Sequence, residues 1–227
     1  MKTLKEHLTK PASQLVIIFS SFVILGGIGS HLFGEDPIAF QIAVWLLYII
    51  VMAMILLLNK MSRRSFANIL AQDRPWLKTL GQSVIVCIVA TLAFLMSGAL
   101  LSITGISMEQ ADMSQYDFIR GNWFNLILAL CAVYIISSFG EELIFRAFLI
   151  SRLEKLIPNA KGRNIIYVLI SGVVFGIIHF TWGWVGILQT TFMGLVMASS
   201  YIYFKRNIWV VVLAHVYMDT VLLVQMY

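Results

Sequence analysis

Six ionisable side chains sit where their surroundings are apolar. Glu141, Glu142 and Arg146 lie in the run 124–150, His179 at the end of a second apolar stretch, and His215 and Asp219 in a third. At the centre of a membrane helix an Asp, Lys or Arg costs roughly 2.5 to 3.5 kcal/mol on the insertion scale, so charges kept there usually face a polar interior and serve a purpose. Their types suit hydrolysis. Glu142 and Arg146, four apart, share a helix face and read as a buried ion pair. Glu141 is then rotated by about 100° and is free to face a cavity, where a desolvated carboxylate can act as general base and then general acid. His179 follows Phe175 by four residues, and a neutral imidazole there can share a water with Glu141 and orient it for attack. His215 and Asp219 are also four apart, so Asp219 can fix the imidazole tautomer or receive a metal. Each group also has a plainer reading: glue that fixes helix register, a core histidine bonded to a backbone carbonyl, a polar pair bonded to neighbouring helices. What favours chemistry is the convergence of all of them.

The elements that must position these groups follow from composition. With 227 residues, 60% hydrophobic and 12% charged, and a mean hydropathy of +0.89, the chain reads as an integral membrane protein. We expect an all-α, polytopic transmembrane bundle of about seven spans, near 15–33, 38–58, 80–103, 124–150, 165–180, 186–204 and 208–227. The apolar part of the first span is too long for a signal-peptide core and no cleavage site closes it, so it is read as a span. Counting from the basic ends of the helices, Glu141 lies about 17 Å from Arg152, His215 about 14 Å from Arg206 and His179 about 24 Å from Arg163, depths that helix tilt can reconcile.

Charge placement sets an orientation. With the N-terminus in the cytoplasm, all 16 Lys and Arg except Arg120 and Arg146 fall on one side, including Lys60, Arg63, Arg64, Arg74 and Lys78, while Glu35, Asp36, Glu109, Asp112 and Asp117 fall on the other. The formal charge of +5 is thus explained by topology, and a nucleic-acid partner is not expected; the partner is the lipid bilayer. Cys87 and Cys131 lie within spans and read as small apolar residues rather than a disulfide. The organisation expected is 1–125, three spans with no identified chemistry, and 126–227, which holds all six polar residues.

Taken in order, Glu141-Glu142-x-x-x-Arg146, Phe175-x-x-x-His179 and His215-x-x-x-Asp219 resemble the three-motif signature of the CAAX protease and bacteriocin-processing (CPBP, or Abi) family of intramembrane proteases. The stretch Ser171 to His179 and Asn207-Ile208-Trp209 resemble the family's surroundings, and the resemblance covers about 126–224. It implies a glutamate-activated water held by Glu141 with His179, an oxyanion site of His215 and Asp219, and a supporting role for Glu142 and Arg146. An ionised Asp219 cannot donate to an oxyanion, so it must be protonated, orient His215 or ligate a metal. Zinc through Glu141, His179 and His215 is chemically acceptable, and the family is often labelled metalloprotease. None of the motifs has the His-Glu-x-x-His form, and the favoured expectation is metal-free catalysis with no cofactor.

The expected function is an intramembrane endopeptidase acting on a hydrophobic or lipidated, membrane-associated peptide. The rivals are a non-catalytic immunity or regulatory protein of the same family, and an ion or proton transporter, against which the lack of internal repeats counts. The short chain with compact loops favours a bacterial cell membrane. Whether the task is bacteriocin maturation, immunity, peptide signalling or CAAX processing, and in what oligomeric state, is left open by the sequence.

Overall fold

In the computed structural model the described residues are 2–61, 70, 75–103, 113–159 and 161–227. Arg63, Arg64, Asp73 and Arg74 of the expected basic loop, and Glu109 and Asp112 of the expected acidic one, lie outside them. The described residues are helical almost throughout and contain no strand. An amphipathic α1 (Lys2–Thr9) leads into α2 (Pro11–Phe33), which begins on a proline whose missing N–H costs nothing there. Asp36 then caps α3 (Pro37–Met61), its Oδ1 accepting from the backbone N–H of Ile38 and Ala39, both at 3.0 Å. Next come α4 (Trp76–Ile103), a 3₁₀ turn (Ser114–Ile119) and α5 (Trp123–Leu156), capped by Asn122. The chain closes with α6 (Arg163–Ile177), a 3₁₀ turn (Phe180–Trp182), α7 (Gly183–Tyr203) and α8 (Ile208–Met226), capped by Asn207.

Six of these helices are long and apolar enough to cross a membrane. The fifth expected span is α6, whose 15 residues rise only about 22 Å against a hydrocarbon core of about 30 Å. It ends at Ile177, and His179 stands in the turn beyond it. Exposed apolar side chains such as Val23, Leu77 and Trp184 line the outer faces of the bundle, the arrangement a lipid solvent requires.

Glycine lets α6 and α7 approach closely. A Cβ on Gly176 would sit 1.8 Å from Thr191 Oγ1, and one on Gly194 would sit 3.1 Å from the Gly172 Cα. The site sits beside this crossing. At the basic end, Arg152 of α5 is buried and donates through Nε to Gln14 Oε1 and through Nη2 to Asn59 Oδ1, each at 2.6 Å. That network joins α2, α3 and α5. Arg206 pairs with Glu154 at the same end, while at the other the Gly121 N–H donates to the Tyr227 carbonyl at 3.0 Å.

Candidate active site

The carboxylates stand on a distorted stretch of α5. Its backbone opens into wide π turns over Tyr134–Phe139 and Glu142–Ile150, a geometry found mostly at functional sites. Glu142 and Arg146 form the expected ion pair, with Nη1 3.1 Å from Oε1 and both side chains fully buried. Arg146 is also held by its surroundings. Its guanidinium lies 4.4 Å from the Phe175 ring centre, and Nη2 makes a long 3.4 Å contact to the Gly194 carbonyl on α7.

The same Glu142 oxygen receives a second donor. His215 Nδ1 approaches Oε1 at 3.0 Å, so Nδ1 carries the proton and Nε2 is turned to the other carboxylates. His215 Nε2 is 3.8 Å from Glu141 Oε2 and 3.8 Å from Asp219 Oδ1, beyond a direct hydrogen bond in both cases. Three atoms so spaced can converge on one small polar molecule. Asp219 accepts from Ser138 Oγ at 2.7 Å, and Glu141 Oε1 accepts a longer bond from Ser137 Oγ at 3.3 Å. It is therefore Glu142 that fixes the His215 tautomer, whereas Asp219 is aimed by a serine of α5.

His179 is placed differently. Its Nδ1 donates to the Phe175 carbonyl at 2.8 Å and its ring packs 4.8 Å from the Phe175 ring and 5.2 Å from Trp182. Nε2 keeps its lone pair. Phe175 is the hub of this side, with the Phe145 ring 5.4 Å and the His215 ring 6.2 Å away. The imidazole whose Nε2 stands near Glu141 is His215, 3.8 Å from Oε2, while His179 packs on the Phe175 ring that His215 also contacts.

Zinc through Glu141, His179 and His215 would need three donors around one point. Nδ1 of both histidines is committed elsewhere, which leaves Nε2 of each as the nitrogen a metal would take, and among the described residues no group of three or more His, Cys, Asp or Glu side chains is arranged to hold a metal ion.

Several contributors escape the three motifs. Ser137 and Ser138 precede Glu141 and Glu142 by one turn, a spacing visible in the sequence. Tyr134 donates to Thr220 Oγ1 at 2.7 Å, because the threonine hydroxyl is itself spent on the Val216 carbonyl, and this ties α5 to α8. Two groups come from outside 126–227. Met52 of α3 packs against Gly140, the residue before Glu141, and Tyr116, in the 3₁₀ turn outside the spans, lies within electrostatic reach of Asp219 and Glu141. Burial and those two carboxylates hold the Tyr116 phenol above its usual range, so it stays protonated. The first half of the chain thus reaches the site.

An all-helical membrane bundle with an interlocked Glu–Arg–His–Asp centre defines a class of intramembrane protein with acid/base groups in its core. Residues 123–221 match the model of the family described as type II CAAX prenyl endopeptidase Rce1-like. That stretch contains all six motif residues, and the match bears out the resemblance to CAAX proteases drawn from their order and spacing. No curated protein and no solved structure matches the chain.

Proposed function

We propose that the protein is an intramembrane endopeptidase that cleaves a hydrophobic or lipidated, membrane-associated peptide with a water activated by Glu141, without a metal. The observation that supports this most is the grouping of Glu141 Oε2, His215 Nε2 and Asp219 Oδ1, with His215 anchored from behind by Glu142. In this reading Glu141 takes a proton from the water as its oxygen attacks the peptide carbonyl. In its protonated state His215 offers Nε2–H to the resulting oxyanion, and the bond from Nδ1 to Glu142 keeps the ring aimed. Glu141 then returns the proton to the leaving amine. His179 contributes its Nε2 lone pair to orienting the water, from a ring fixed by Phe175. Arg146 offsets the Glu142 charge, so of the three carboxylates Glu142 is committed, Glu141 is the working one and Asp219 is held by Ser138.

The basic end of the bundle is assigned to the cytoplasm, in a bacterial cell membrane, with the N-terminus inside. Incubating purified protein in liposomes with prenylated and unmodified hydrophobic peptides tests the assignment. Cleavage by wild type that is lost in Glu141→Ala and His179→Ala supports it. Equal inertness across the panel contradicts it and favours a non-catalytic partner protein.

A further inference from the structure

Tyr134, Ser138, Glu142 and Arg146 follow one another along α5 at steps of four, and the first three each reach across to α8. Tyr134 meets Thr220 at 2.7 Å, Ser138 meets Asp219 at 2.7 Å and Glu142 meets His215 at 3.0 Å. The site is thus the inner part of a polar seam. Its outer rung, Tyr134 with Thr220, lies outside all three motifs.

A regular α-helix would not keep that seam aligned. At 3.6 residues per turn each step of four overshoots by about 40°, so Glu142 would be turned by about 80° from Tyr134. In the wide turns the backbone hydrogen bonds reach one residue further, and a step of four falls short of a full turn instead. The two kinds alternate here, wide over Tyr134–Phe139, regular at 140–141 and wide again over Glu142–Ile150. Overshoot and shortfall offset each other, and the stripe stays on the α8 side.

Thr220 donates its own hydrogen to the Val216 carbonyl at 2.6 Å, which leaves its oxygen to accept from the phenol. The end of α8 is docked separately, by the Gly121 N–H on the Tyr227 carbonyl at 3.0 Å, so the rung is free to set register. We propose that Tyr134 is a positioning residue: its bond to Thr220 fixes the register of α8 on the widened stretch of α5, so that His215 Nε2 and Asp219 are presented to Glu141 together. The kinetic consequence rests on the endopeptidase reading; the register does not.

Tyr134→Phe keeps the ring and removes the donor, and Thr220→Val removes the acceptor and keeps the branched side chain. The first readout needs no substrate: the rate at which diethyl pyrocarbonate modifies His215, followed by mass spectrometry, with His179 in the turn beyond α6 as internal control. Both variants should raise the His215 rate about 5-fold, the freedom that loss of one hydrogen bond of ordinary net strength allows, and leave His179 unchanged. The second is peptide cleavage, in which kcat should fall about 10-fold with KM unchanged, the mark of lost alignment in the transition state rather than lost binding. An unchanged His215 rate overturns the proposal whatever kcat does, and so does a raised rate with kcat unchanged in an active protein. A rise shared by His215 and His179 overturns it as well, because that pattern is a general loosening of the bundle. If one variant does not fold, the other is read alone. If wild type cleaves no peptide, the endopeptidase reading fails and the His215 rate alone decides the role of Tyr134.

Discussion

Glu142 Oε1 is shared between two donors, the guanidinium of Arg146 through Nη1 at 3.1 Å on its own helix and the imidazole of His215 through Nδ1 at 3.0 Å on α8. One fully buried carboxylate therefore neutralises a guanidinium and dictates which nitrogen of the imidazole is presented to the site. Breaking such a group by removing one partner leaves an uncompensated charge, at a cost of about 3 to 5 kcal/mol. Arg146→Met should lower thermal stability in detergent by that order. Arg146→Met with Glu142→Gln should lose less than the two single changes added together, which a double-mutant cycle on unfolding midpoints would measure.

Ser138 donates to Asp219 Oδ2 at 2.7 Å and so sets the direction of the last motif residue. Ser138→Ala should leave the bundle folded and lower kcat/KM by about 10-fold, the loss of one charge-assisted bond of about 1.5 kcal/mol. Full activity in Ser138→Ala would show that Asp219 needs no such aim.

The crossing of α6 on α7 predicts a stability effect with a built-in control. Gly176→Ala places a methyl group 2.6 Å from the Ile187 carbonyl, backbone that cannot swing away, and overpacking of this kind costs about 1 to 3 kcal/mol. Gly27→Ala meets nothing within 4 Å and should be neutral or slightly stabilising. Unfolding midpoints of the two variants compare a tight site with an open one in the same bundle.

At the basic end, Arg152→Ala removes the donor shared by Gln14 and Asn59, both buried. A loss of about 2 to 4 kcal/mol is expected from two side-chain carbonyls that lose their charged donor and from the missing stem, with catalysis per folded molecule unchanged. Measuring activity against the folded fraction after partial heating separates the two effects.

How much of this could be read in advance differs by element. The spans were legible because lipid imposes one composition on every outward face, and the Glu142–Arg146 pair because four-residue spacing survives in the helix. The short α6 was not legible as such: the apolar run continues through Ile178 into a turn, and hydropathy does not register where the hydrogen bonds stop. Spacing within a helix also cannot assign partners across helices. It left Asp219 to fix the His215 tautomer or to receive a metal, and could not show that His215 Nδ1 reaches across helices to Glu142. Met52 carried no signal, since an apolar residue in an apolar span is ordinary until its neighbour proves to be the glycine beside Glu141.

The central claim is that Glu141 activates water without a metal. The most direct measurement is single-turnover cleavage of a hydrophobic or prenylated peptide in liposomes by wild type and Glu141→Gln, each with and without a strong chelator. The account predicts cleavage by wild type that the chelator leaves unchanged, and a fall of roughly 10²-fold or more in Glu141→Gln, the usual loss when a general base is removed. Wild-type cleavage abolished by the chelator and restored by zinc, or a Glu141→Gln protein as active as wild type, would contradict it.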